Sequence, residues 1–527
     1  MNLYSYHVFL FPFQWDVKDP NMVSFSKRYQ LKNLKPKQEG FWQNLPQPLN
    51  NDYQTELYNE KNFFYKFVHT AMYDTNDTSE YPTVRHYERQ EAYKTDLIYE
   101  IGVKANKANV YKLHLKSIGL DIFSTGTGVL IFYLENHDYP DFEDVRRINQ
   151  YGRRIFPPFL GKQNHVEATK YAELADYISI TGLMGEAHRY HEDFTRFKAL
   201  EPWGTARFIY SLISDFCDDI KFEPVVDDRM FTMCWYFNKV LSNEISDTKQ
   251  YYKFVRSDRW HQYLYVDSGD STCQNDRMQK KLLEDNTYSR WQKQGTLYGM
   301  TKYSFMAISN DSFFPRNIAL THFRTMYVRI VELVLIQRAS ILKFSAEVCR
   351  LSSLENADNR KLADQISDFY KAYIRFVNQI FFREVTAQEQ GIDLYDLLTQ
   401  NMRIKEQVKD LDVEIGELHN YASLLDEKSQ SRNLSLLTIL GTLFLVPSFI
   451  VGFFGMNFFG ADEDAQLDEP LLYWIIVSIV TISVGIFVIA WFHKMKKQRL
   501  FTLAIVIMVT LMIFLLISPI IFKYYFS

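Results

Sequence analysis

The sequence predicts an α+β soluble domain, a long helical stalk, and an α-helical transmembrane region with three spans. Three observations carry that reading. Apolar residues alternate with a period of two in parts of the first 310 or so positions. From Phe314 the apolar spacing changes to steps of three and four. The long apolar runs are confined to the last hundred residues of a chain whose mean hydropathy is −0.23. The expected domains are therefore 1–313, 314–432 and 433–527.

A length of 527 residues allows more than one domain. A net charge of −4 argues against a general nucleic-acid binder. Cys217, Cys234, Cys273 and Cys349 show neither metal-type spacing nor a disulfide framework, which suits a reducing cytosol. The opening MNLYSYHVFLFPFQW has no basic leader region and no small-residue cleavage site, so it reads as a first strand. No catalytic constellation is present, and no enzyme activity is expected.

In the soluble domain, Tyr111–Phe123 and Val129–Asn136 read as two strands joined by a hairpin turn at Ser124–Gly128. Gly126 and Gly128 do not make a phosphate loop, because no Lys-Ser/Thr pair closes it and no helix follows. The stretch from Asp247 to Asn286 is rich in Asp, Asn, Gly and Ser and reads as a loop-rich insertion.

Phe323, Met326, Ile330 and Leu333 mark one helix. Leu362, Ile366, Phe369, Tyr373, Phe376 and Ile380 form a coiled-coil seam, and Gly391 permits a break after it. Val408, Leu411, Ile415, Leu418, Ala422 and Leu425 repeat the stepping. Neither Pro nor Gly interrupts Glu417–Leu440, so this seam is expected to continue into the membrane. A helix from Asp393 to Asn457 would be about 100 Å long at ~1.5 Å per residue. An antiparallel bundle within one subunit and a stalk around a symmetry axis both fit this spacing.

A spanning helix needs roughly 20 apolar residues. Segments 433–459, 471–492 and 500–522 qualify. Lys428 and Arg432 precede the first span, and Lys494, Lys496, Lys497 and Arg499 follow the second. The loop between those spans carries Asp462, Glu463, Asp464, Asp468 and Glu469 and no base. The positive-inside rule then puts the N-terminal region in the cytoplasm and the C-terminus outside a lipid bilayer.

Gly455-Met456-Asn457 stands at the outer end of the first span. A long helix leading into a span that ends in this tripeptide, followed by a short loop and another span, resembles the CorA-type divalent-cation channels. The resemblance implies a homopentameric funnel in the bacterial cytoplasmic membrane, with the first span lining the pore and Mg²⁺ or another divalent ion as cargo. Five Asn457 amide oxygens would hold the ion through its water shell, since Mg²⁺ dehydrates reluctantly. Gly455 lets the backbone bend, and Met456 packs. Counting back gives a candidate pore face of Gly452, Ser448, Leu445, Gly441 and Leu437, with Thr438 beside it. Leu445 and Leu437 would be hydrophobic constrictions. The small residues equally suit close packing of membrane helices.

The third span and the larger soluble region depart from ordinary CorA channels. With the opening YSYHVFLFPF, they resemble the CorA-like proteins associated with type III CRISPR systems. That narrower resemblance implies an antiviral membrane effector gated by a small nucleotide second messenger, such as an S-adenosylmethionine–AMP conjugate. Arg146, Arg147, Arg153 and Arg154 are the candidate anion ligands, read as two pairs on nearly one helix face each. A solvated helix face or inter-subunit ion pairs would use the same residues. Asp218 and Asp219, with Asp215, Asp227 and Asp228 nearby, are candidate regulatory metal ligands. His188 and His191 lack a third ligand and read as surface residues. The alternative function is a housekeeping Mg²⁺ or divalent-cation transporter gated by cytosolic metal. A scaffold that conducts nothing is the third possibility.

Overall fold

The computed structural model describes residues 2–455, apart from 20–23, 35, 38–40, 46–58, 74–81, 91–95, 104–108, 156–174, 197–204, 226–228, 268, 270 and 355–358. The chain divides into two compact units, Met1–Ala422 and Ser423–Ser527.

The first unit is α+β. Its strands are β1 (Ser5–Val17), β2 (Trp42–Leu45), β3 (Val84–Arg89), β4 (Ile98–Val103), β5 (Asn109–Phe123), β6 (Thr127–Asn136), β7 (Tyr177–Thr181), β8 (His191–Asp193), β9 (Ile220–Pro224), β10 (Phe231–Phe237), β11 (Thr287–Tyr288), β12 (Leu297–Met300) and β13 (Ser304–Ser309). Among the described residues they form one sheet with the order β11-β12-β13-β10-β1-β6-β5-β4-β7-β8; β9 pairs with β1, and β3 joins β2 to β5. Among the described strands, only β10 and β13 run parallel. The expected first strand is β1, and it lies in the middle of the sheet. Nearly all of it is buried, as a strand covered on both faces requires. It pairs with β10 as far as Leu10 and with β9 from Phe13. Pro12 has no N–H to donate and sits at that handover.

The expected hairpin is β5–β6, closed by Ser124-Thr125-Gly126. Gly126 takes φ +78°, and an added Cβ there would lie 2.7 Å from the Tyr29 ring. Glycine therefore meets both a backbone and a packing demand.

The helices are α1 (Phe25–Arg28), α2 (His69–Met72), α3 (Phe142–Gly152), α4 (Arg207–Phe216), α5 (Lys239–Ser246), α6 (Thr248–Phe254), α7 (Asp258–Tyr265), α8 (Asp276–Asn286), α9 (Leu320–His322), α10 (Val328–Ser352), α11 (Asn359–Gln379), α12 (Glu389–Asn401) and α13 (Ile404–Gly455). π-helical turns at Phe314–Ala319 and Phe323–Tyr327 join α9 and α10 into one continuous helical stretch over 314–352. The expected helix through Phe323, Met326, Ile330 and Leu333 is part of it, and all four residues are buried. α10 packs on β1 and β6.

The loop-rich reading of Asp247–Asn286 is corrected: the segment carries α6, α7 and α8. Its polar residues are N-caps. The side chains of Asp247, Ser257 and Asn275 accept backbone N–H bonds from the first turns of these helices. Trp260, Tyr263, Leu264 and Leu283 from this segment join a buried core with Met306 and Ile308 of β13.

The seam on α11 is buried within the chain: Phe344 of α10 meets the rings of Phe369, Tyr373 and Phe376 at 5.3–5.7 Å. α13 joins the same bundle, with His419 stacked on Tyr370 at 4.2 Å and the Tyr373 hydroxyl donating to the Val408 carbonyl. Two boundaries differ from expectation. Gly391 does not break a helix; it lies inside α12, where a Cβ would stand 2.4 Å from Met326 and 2.7 Å from Thr386. The long helix starts at Ile404, not Asp393, because Arg403 takes φ 55° after Met402. Its 52 residues span about 78 Å at ~1.5 Å per residue.

Among the described residues no helix is long and apolar enough to cross a membrane. The backbone of α13 carries the first expected span as far as Gly455; the remainder of 433–459 and the spans 471–492 and 500–522 lie outside the described residues.

Candidate functional site

Strands β3 and β5 place His86 directly opposite Asp121. His86 Nδ1 lies 2.7 Å from Asp121 Oδ1. On α10, Arg329 and Glu332 stand one turn apart and face the same spot. Arg329 Nη1 donates to Asp121 Oδ2 at 3.2 Å and also to Glu332 Oε2. Its Nη2 donates to the Tyr133 hydroxyl on β6 at 2.8 Å. Glu60 and Tyr73 complete the surroundings, and Glu60 interacts electrostatically with Arg329, Glu332 and His86.

None of His86, Asp121, Arg329, Glu332 or Glu60 is more than 4% exposed. Burial raises the pKa of Glu60, of Asp121 and, most strongly, of Glu332, where the Asp121 charge adds to the effect. Burial opposes the charge on Arg329, but Tyr133 and the surrounding carboxyls outweigh it and raise its pKa. Three carboxyls thus share one fixed cation. His86, Asp121 and Glu332 each offer one ligand atom, all within 4.8 Å of one another.

Sequence reasoning missed this cluster because its members come from separate strands and a distant helix. A faint signal was present: Arg329 and Glu332 interrupt the otherwise apolar run VRIVELVLI. A charged residue in such a run needs an internal partner.

The four candidate arginines are divided. α3 ends at Gly152, so Arg153 and Arg154 are not on its face. Arg146 donates to the carbonyls of Asp267 at 2.7 Å and Gly269 at 3.4 Å, and also pairs with Glu143. Arg153 donates to the Val266 carbonyl at 3.2 Å and to Gln150. These two cations therefore meet the segment just past the C-terminus of α7, where carbonyls lack helical partners. Arg147 is half-buried, and a hydrogen bond with Tyr111 raises its pKa. Arg154 is buried, with its backbone bridged to Arg229.

Asp218 and Asp219 are exposed between α4 and β9. Asp218 pairs with Lys37 at 2.8 Å. Asp215 is buried instead and holds Arg89 at 2.9 Å and Arg189 at 2.7 Å. Asp227 and Asp228 lie outside the described residues. His188 is exposed and 3.3 Å from Glu186, while half-buried His191 lies against the Tyr177 ring.

A cleft of about 460 Å³ opens beside α10. Arg28, Lys221, Lys343 and Arg350 line it together with Asp16, Asp19, Glu223 and Glu347. Lys343 lies 5.0 Å from the Tyr29 ring centroid, 3.3 Å from the Trp15 carbonyl and 3.9 Å from Asp16. Burial lowers its pKa, and Asp16 partly offsets that.

On α13, Leu437, Gly441 and Ser448 of the candidate pore face are exposed, as is Thr438 beside them. Leu434 and Leu440 are exposed as well, so this segment presents a row of large apolar side chains. The helix includes the backbone of Leu445, Gly452 and Gly455, whereas Met456 and Asn457 lie outside the described residues.

Residues 338–494 match the family model described as CorA-like Mg²⁺ transporter protein. This stretch is similar to that family, and it covers less than half of the chain. It begins within α10, takes in α11 and α12 and all of α13, and encloses Gly455-Met456-Asn457. Comparison with curated proteins and with solved structures finds no match. The cleft and the buried cluster both touch α10, the helix in which the CorA-like region begins.

Proposed function

We propose that the chain is the subunit of a CorA-type divalent-cation channel, embedded in the bacterial cytoplasmic membrane and assembled as a homopentamer. The observation that carries this reading is the family match over 338–494, because it encloses the tripeptide at the end of a long helix. The exposed Leu434, Leu437 and Leu440 on α13 support it, since such a face needs lipid or neighbouring helices as cover. In this reading Asn457 forms the outer ligand ring. Asn457→Ala in proteoliposomes is expected to change divalent-cation flux; unchanged flux would remove the pore assignment.

The finer proposal is that the soluble domain gates this pore in response to a small nucleotide messenger, as an effector of CRISPR type III antiviral defence. The third apolar run at 500–522 and the large domain before α10 favour it. The cleft has room for a nucleotide and presents four basic side chains, though four acids balance them. An S-adenosylmethionine–AMP conjugate is the first compound to add to the flux assay. Flux that depends on it supports gating by messenger. Flux that ignores it, combined with rescue of Mg²⁺-transport-deficient cells, supports the housekeeping transporter, which the family description favours.

A further inference from the structure

We propose that His86, Asp121 and Glu332 form an intramolecular site for one divalent transition-metal ion, which clamps α10 to strands β3 and β5. All three donors belong to one chain and lie in its interior, so the site needs no neighbouring subunit.

The geometry fits an ion. Donors bound at ~2.1 Å and set at right angles stand about 3 Å apart. His86 Nδ1 and Asp121 Oδ1 are 2.7 Å apart, and the full set stays within 4.8 Å. Arg329 Nη1 occupies only one oxygen of each carboxylate, Asp121 Oδ2 and Glu332 Oε2. It therefore orients the carboxylates without taking Asp121 Oδ1, which meets His86 Nδ1, or Glu332 Oε1.

A second observation points to a missing partner. Glu332 Oε1 is buried and receives no N–H or O–H donor from another described residue; within the chain only a proton shared with Asp121 relieves it. Buried acceptors in that condition are rare and costly. One imidazole nitrogen with two carboxylate oxygens favours Mn²⁺ or Zn²⁺ over Mg²⁺, which prefers all-oxygen octahedra.

The test uses the full chain in detergent with Asn457→Ala, so that no ion held at the pore is counted. After chelation, the protein is exposed to Mn²⁺, Zn²⁺ or Mg²⁺ singly, gel-filtered and analysed for metal. The expected result is one Mn²⁺ or Zn²⁺ retained per chain, no retained Mg²⁺, and loss of the ion in Glu332→Gln. Retention of no ion, or equal retention by a folded Glu332→Gln protein, overturns the proposal. Should Glu332→Gln fail to fold, the nitrogen hyperfine coupling of bound Mn²⁺ decides. A histidine coupling supports the site, and its absence overturns it.

Discussion

Arg329 on α10 reaches Asp121 on β5 at 3.2 Å, with each side chain 2% exposed. This ion pair joins the helix that enters the CorA-like region to the centre of the sheet. Removing one partner of such a pair leaves an uncompensated buried charge and typically costs about 3–5 kcal/mol. Arg329→Met should lower the melting temperature of the detergent-solubilised chain steeply. A melt within a degree or two of the parent would show that the cluster tolerates the loss.

A second buried network sets a pH dependence. His7 Nε2 accepts from Ser5 Oγ at 2.8 Å, and its Nδ1–H donates to Asn149 Oδ1 at 2.7 Å. Burial lowers the His7 pKa from 6.5 to about 4, although the bond to Asn149 pulls the other way. The unfolded chain therefore binds a proton that the folded chain refuses. Stability is fully present above pH 6.5 and is lost as pH falls toward about 4. The loss attributable to this residue is roughly 3 kcal/mol. Denaturant titrations between pH 7 and 4 should show it, and His7→Gln should flatten that part of the profile.

Gly126→Ala tests the hairpin. The φ of +78° and the nearby Tyr29 ring both oppose a Cβ. A destabilisation of about 1–3 kcal/mol is expected. Gly416→Ala is the control, because nothing lies within 4 Å of a Cβ there. Comparable melts for the two variants would contradict the account.

The candidate arginines separate by position. Arg153 is buried and bound to the Val266 carbonyl, whereas Arg147 is half-buried. Arg153→Ala should cost about 1–3 kcal/mol through unsatisfied carbonyls and lost packing, and Arg147→Ala less than about 1 kcal/mol. Thermal melts of the two variants check the order.

The β5–β6 hairpin was legible because strict alternation and a glycine turn are local signals. The CorA-like region was legible from a tripeptide and its setting. Asp247–Asn286 was misread because residues that favour loops also cap helices, and three closely spaced caps look like one loop. The break at Arg403 carries no Pro or Gly. It depends on tertiary structure: Met402 is buried, and Asn401 Nδ2 donates to the Met300 carbonyl at 3.0 Å. The cluster of His86, Asp121 and Glu332 depends on strand register and on helix docking, neither of which has a local signature.

The proposed divalent-cation pore of the CorA-like region places Asn457 in its outer ring. Mg²⁺ flux into proteoliposomes, measured for the full chain and for Asn457→Ala at equal protein content, tests it most directly. The account predicts channel-dependent flux in the parent and a clear change in the variant. Identical flux in both, or no flux in the parent under any ligand condition, would contradict it.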